Sequence, residues 1–77
     1  MEEQLRQVFA EFFKLDPSRV TDDLSPEDVK GWNSLGQLGL INALESAFEI
    51  TFEDGDLTEM ENVGKIKQIL RLRGVTG

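Results

Sequence analysis

The chain has 77 residues, of which 39% are hydrophobic and 30% charged, with a net charge of −7. A chain of that length makes one small domain of globular composition, and no run approaches the roughly 18 apolar residues that span a membrane. Cysteine and histidine are both absent, which removes disulfides, a thiol nucleophile and the commonest general base and argues against an enzyme acting unaided.

Glu2 to Lys14 places Leu5, Val8, Phe9 and Phe12 at helical spacing, which predicts an amphipathic helix with Phe13 at the edge of its apolar stripe. Glu2 and Glu3 in its first turn and Lys14 in its last suit the helix dipole. Leu15-Asp16-Pro17-Ser18 ends this helix, since proline disfavours helical geometry in the residue before it. A long acidic stretch then runs from Arg19 to Trp32, with Val20, Leu24, Val29 and Trp32 spaced as pins that hold it over the bundle. Within it, Ser25-Pro26-Glu27-Asp28 suits the start of a single helical turn. Long loops in compact domains are uncommon and serve function when they are ordered.

The next pattern predicts a helix over about 34–49, with Leu38, Ile41, Leu44 and Phe48 inward and Leu40 and Ala47 widening that stripe. Asn42, Glu45, Ser46 and Glu49 fall on the opposite face. Gly36 and Gly39 each cost a helix roughly 1 kcal/mol against alanine; they point either to the close approach of another molecule or to crowding against Trp32. Ile50-Thr51-Phe52 reads as a connection with its apolar residues tucked in. Leu57 and Met60 predict a short helix over about 56–60, capped by Asp54 or Asp56. Asn62 caps a last helix over about 63–73, with Val63, Ile66, Ile69 and Leu70 inward and Lys65, Lys67, Arg71 and Arg73 on the outer face. Gly74-Val75-Thr76-Gly77 reads as a frayed tail. The predicted fold class is all-α: a single domain, 1–77, built as an up-and-down four-helix bundle with a short third helix and a long first loop.

Charge is unevenly distributed. From Asp16 to Glu61, twelve acidic residues stand against Arg19 and Lys30, a local balance of −10, while residues 62–77 carry only basic ones. An acidic surface of this kind disfavours nucleic acid and suits partners with basic patches. Asp22 and Asp23, or Asp54 and Asp56, lack the spacing of a calcium loop, so no metal site is assigned. The start, Met1-Glu2-Glu3-Gln4, is unlike a targeting segment; the expectation is a cytoplasmic protein that engages no membrane.

Ser34 marks the boundary between the acidic loop and the second helix. With Gln37 it fits the capping box S-x-x-Q, although Asn33 caps equally well, so the helix does not require serine at that position. The wider pattern is similar to the acyl carrier proteins and related phosphopantetheine-bearing carriers. The family's Asp-Ser-Leu motif reads Asn33-Ser34-Leu35 here, and the resemblance runs through Leu15–Val20, Trp32–Leu38, Leu44-Glu45, Phe48–Phe52 and Val63–Ile66.

That resemblance implies an acyl-carrier-like bundle with no catalytic activity of its own. A phosphopantetheinyl transferase, with Mg²⁺ and coenzyme A, would attach 4′-phosphopantetheine to Ser34 Oγ. The arm's thiol would carry acyl or related groups as thioesters between acyl-loading and acyl-transferring enzymes, with the carrier acting as a monomer. The family docks partners on its second helix and the loop before it, which carries over to Asn33, Leu35, Gly36, Asn42, Glu45 and Glu49, with Trp32 bracing the loop. Asn33 and Gly36 stand where the family commonly has acids, and the Trp-x-Ser-Leu-Gly pattern resembles stand-alone carriers of specialised pathways. An aminoacyl or peptidyl carrier loaded by an adenylating enzyme, and an unmodified helical interaction module, remain as alternatives.

Overall fold

The computed structural model describes residues 1–75. Four α-helices run through them: α1 (Glu2–Phe13), α2 (Ser34–Phe48), α3 (Asp54–Thr58) and α4 (Val63–Leu72), with a 3-10 turn at Pro17–Arg19. No strand occurs among the described residues, and the fold is the all-α bundle that the pattern predicts.

α1 buries Leu5, Phe9 and Ala10, while Phe12 remains 39% exposed and Val8 is half-buried. The burial is therefore rotated from the predicted stripe toward Phe13. The cause is Trp32 in the following loop, whose ring packs edge-on against Phe9 at 5.1 Å and lies tilted by 31° against Phe13 at 5.8 Å. α1 closes one residue earlier than predicted and without proline: Lys14 takes a left-handed conformation (φ 57°), and its N–H and that of Leu15 both return to the Ala10 carbonyl. Such a reversal satisfies the last carbonyls of a helix by itself. Pro17 lies beyond it, in the turn that Asp16 caps by accepting from Ser18 N–H and Oγ.

The loop up to Asn33 is pinned as expected, with Val20, Leu24, Val29 and Trp32 all buried. Residues 26–28 form a turn rather than a helical segment, closed by Asp28 accepting from Ser25 N–H and Oγ. The loop also completes α4. Val63 N–H donates to Leu24 O at 2.9 Å and Gly64 N–H to Asp22 O at 3.0 Å, while Asn62 Oδ1 accepts from Lys65 N–H. Three of the N–H groups that a helix start leaves unpaired are thereby satisfied. A Cα radius of gyration of 11.2 Å, against about 11.5 Å for a compact chain of this length, fits a loop lying flat on the bundle.

The predicted outer face of α4 is more tied down than its charge suggests. Lys67, 13% exposed, bridges Glu2 at 3.0 Å and Asp22 at 2.6 Å, joining α1, the loop and α4. The hydrogen bond to Asp22 chiefly holds its ammonium above the ordinary lysine value. Arg73 turns back from the end of α4 to Glu53 at 2.7 Å and to the buried Asp56, with Nε 3.0 Å from Asp56 Oδ2 and Nη2 donating to Oδ1 at 3.3 Å. Asp56 also accepts from Glu53 N–H at 2.9 Å, so α3 starts at Asp54 with Glu53 as its cap residue, not at 56 under Asp54 or Asp56. The predicted frayed tail begins as a defined turn: Gly74 sits at φ 96° and Val75 N–H returns to Leu70 O, with Val75 packed on the core. Thr76 and Gly77 lie outside the described residues.

Candidate functional site

α2 is the organising helix, and its phase differs from the predicted one. Leu40, Ile41 and Leu44 are buried and Phe48 and Gln37 half-buried, but Leu38 is 58% exposed. The helix is turned so that Gln37 rather than Leu38 faces inward. Gln37 Oε1 accepts from Trp32 Nε1–H at 2.6 Å, and its amide nitrogen lies 3.4 Å from Leu57 O on α3. Leu38 therefore stands one turn below Ser34 on the same side of the helix. The run Leu38–Leu44 supports either phase by apolar spacing alone, and the polar Gln37 decides it.

The two helical glycines answer to neighbours within the chain. A Cβ at Gly36 would collide with the Gly31 carbonyl, and one at Gly39 would meet the Phe12 ring. Trp32 accounts for neither. Gly39 gives the Phe12 ring of α1 its seat on α2, and Gln4 donates to Ala47 O at 2.8 Å further along. Gly31, at φ 99°, makes the turn that delivers Trp32 into the core and Asn33 to the helix start.

Asn33 caps α2: its backbone is extended, and its Oδ1 accepts from Gly36 N–H at 3.0 Å. Ser34 is consequently the first helical residue, not the cap, and Gln37 closes no capping box with it. The Ser34 side chain is exposed and makes no hydrogen bond or ion pair among the described residues. The first turn of α2 carries no acidic residue. Its leading N–H groups and the positive end of the helix dipole thus favour an anion beside Ser34.

Of the other predicted recognition residues, Leu35 is 81% exposed, Asn42 and Glu49 are exposed, and Gly36 is half-buried under the Gly31 carbonyl. Glu45 is half-buried, with its carboxylate accepting from Phe52 N–H at 2.8 Å, so it anchors the connection after α2. Glu49 ends α2 in a left-handed conformation, φ 55°. Residues 31–44 contain no charged side chain at all. The face around Ser34 is accordingly uncharged and carries two exposed leucines, of which Leu38 escaped the sequence reading.

The geometry is a small helical bundle with an exposed serine, free of side-chain partners among the described residues, at the head of α2. The sequence profile of the phosphopantetheine attachment site family matches residues 3–70. An acyl carrier protein of Phenylobacterium zucineum (strain HLK1) is 30% identical over 71 residues, covering 92% of this chain and 90% of that protein. The solution NMR structure of a holo acyl carrier protein from Geobacter metallireducens superposes with a TM-score of 0.83 at 29% identity, over 94% of this chain and 83% of that one. The chain belongs to the phosphopantetheine attachment site family. Its prosthetic group is phosphopantetheine, and the domain presents that group rather than catalysing a reaction. Membership implies a transferase that installs the arm and enzymes that act on what it bears. No helix among the described residues is long and apolar enough to cross a membrane.

Proposed function

We propose that residues 1–77 form a single acyl carrier domain whose 4′-phosphopantetheine is linked to Ser34. The observation that carries this reading is the exposed Ser34 hydroxyl at the first position of α2, released from capping by Asn33. In the modification the Ser34 hydroxyl displaces adenosine 3′,5′-bisphosphate from coenzyme A, forming a phosphodiester and giving up its proton to the transferase. The resulting anion lies beside the leading N–H groups of α2, where the dipole favours it. The thiol at the end of the arm supplies the nucleophile that a chain without cysteine lacks, and acyl groups ride on it as thioesters.

Partners dock, in this reading, on the face formed by Asn33, Leu35, Gly36, Leu38, Asn42 and Glu49. Glu45 contributes less, since its carboxylate is engaged by Phe52 N–H. The absence of charge over 31–44 favours a specialised stand-alone carrier whose partners meet it through apolar contact rather than a dense acidic stripe. The same reading makes the protein a monomer working in the cytoplasm. Intact mass after incubation with a broad-specificity phosphopantetheinyl transferase, Mg²⁺ and coenzyme A tests it. One phosphopantetheine adduct is expected on the wild type and none on Ser34→Ala; an unmodified wild type, or an adduct that survives Ser34→Ala, overturns it.

A further inference from the structure

Gln37 does something that packing alone does not ask of it. Positions 35, 38, 40 and 41 are all apolar, and a leucine or methionine at 37 would fill the same half-buried space. Such a side chain would leave the Trp32 indole N–H, on a ring only 3% exposed, without a partner, and buried indole donors are normally paired. Gln37 takes that proton at 2.6 Å. The bond closes a ring of consecutive residues, Trp32 to Gln37, with Ser34 and Asn33 enclosed between its ends.

The other end of Gln37 reaches out of this ring. Its amide nitrogen donates to Leu57 O on α3 at 3.4 Å. α3 is itself held to α4 by Arg73, through Glu53 and Asp56. On the far side, Trp32 is fixed by Phe9 and Phe13 of α1 and by its backbone bond to Val29 O at 3.1 Å. The turn that displays Ser34 is therefore located against three helices, and Gln37 is the residue through which α2 and α3 grip it.

We propose that Gln37 is a positioning residue for the modification of Ser34, acting through Trp32 to fix the direction in which the hydroxyl is presented. The proposal rests on Ser34 as the attachment point. Gln37 faces inward while Leu35 and Leu38 face outward, so the role assigned to Gln37 is the placement of Oγ after the transferase has bound, not contact with the transferase. Small misplacement of a reacting atom lowers turnover without weakening binding.

The test compares Gln37→Met, which keeps the volume and removes both hydrogen bonds, with Gln37→Glu, which keeps an acceptor for Trp32 and loses the donor to Leu57. Transfer from coenzyme A is followed as kcat and KM in the carrier, alongside hydrogen exchange of the single indole N–H by NMR. Gln37→Met is expected to lower kcat by about three- to ten-fold at unchanged KM and to speed indole exchange; Gln37→Glu is expected to keep the indole protected and at least half the turnover. Trp32→Phe, which removes the donor and keeps a ring, should match Gln37→Met, and the double variant should lose nothing further; this pair serves if Gln37→Met folds poorly. Wild-type kcat in Gln37→Met or Trp32→Phe, an effect confined to KM, or an equal loss in Gln37→Glu overturns the proposal. A wild type that takes up no arm defeats instead the assignment of Ser34.

Discussion

Replacing Asp56 by alanine tests how α3 is held. The carboxylate is 7% exposed, accepts from Glu53 N–H at 2.9 Å, and faces Arg73 with Nε at 3.0 Å and Nη2 at 3.3 Å. Alanine removes the acceptor at the start of a helix, which costs about 1 kcal/mol. It also strands a guanidinium, and breaking a fully buried pair costs about 3–5 kcal/mol. Arg73 is 25% exposed and keeps Glu53 at 2.7 Å, so only part of that penalty applies, about 1–2 kcal/mol. The expected loss is about 2–3 kcal/mol, out of the roughly 4–12 kcal/mol that a domain of this size possesses. Urea unfolding followed by far-UV circular dichroism and by Trp32 fluorescence measures it. Arg73→Met should cost at least as much, because it strands the more buried partner, and the two losses should add to more than the double variant shows. A loss below about 0.5 kcal/mol in Asp56→Ala, or strict additivity in the cycle, refutes the claim that the pair holds α3.

Gly36→Ala should destabilise by about 1–2 kcal/mol even though alanine is the better helix former by about 1 kcal/mol, because its Cβ meets the Gly31 carbonyl; a rise in melting temperature contradicts the close approach. Asn33→Ala should lower stability by about 1 kcal/mol, some 4–8 °C, whereas Ser34→Ala should change the melting temperature by less than about 2 °C while abolishing modification; the reverse ranking returns the cap to Ser34. On acidification, the hydrogen bond from Lys67 holds the Glu2 carboxyl below the ordinary glutamate value of 4.5, and the Ser18 N–H and hydroxyl hold Asp16 below 3.8. Lowered carboxylate values stabilise the fold above the unfolded value and lose that contribution as pH falls through the folded one. Melting temperature should therefore be flat from pH 7 to about 5 and fall below about pH 4.5, with a shallower fall in Glu2→Gln; an identical fall in that variant removes Glu2 from the account.

The elements that apolar periodicity specifies were legible in the sequence. α4 kept all four predicted core residues, Val63, Ile66, Ile69 and Leu70, and the loop kept its four pins. What periodicity does not encode was lost. Lys14 and Glu49 end their helices in left-handed conformations that no glycine announces. The rotation of α1 follows from where Trp32 lands, a contact across about 20 residues of loop. In α2 a continuous apolar run permits two phases, and the inward Gln37, paired with the Trp32 indole five residues earlier, marks the one adopted. At the site, Ser34 stands out in the sequence through its place in the carrier-like motif and the lack of cysteine and histidine, while Leu38 was assigned to the core and Glu45 to the free surface. Both misplacements arise from reading the helix as an isolated cylinder, without the loop that turns it and the Phe52 N–H that draws Glu45 in.

The shift of one residue between Ser34 as cap and Ser34 as first helical residue carries the functional consequence. A capping serine directs its oxygen back onto an N–H of the turn it starts, which ties its side chain to the helix. Here Asn33 supplies the oxygen for Gly36 N–H and Gln37 supplies the acceptor for Trp32, so each demand of the helix start is met by a residue other than Ser34. The same substitution of labour accounts for an asparagine in the place where the family motif carries an acid. A carboxylate there would also cap, but it would set a negative charge against a phosphodiester on Ser34, the attachment proposed above. With Asn33 neutral and no acid in the first turn, the positive end of the α2 dipole meets no carboxylate of its own first turn. In the proposed reading, an uncharged approach to Ser34 is met by shape and apolar contact at Leu35 and Leu38 instead of by long-range attraction.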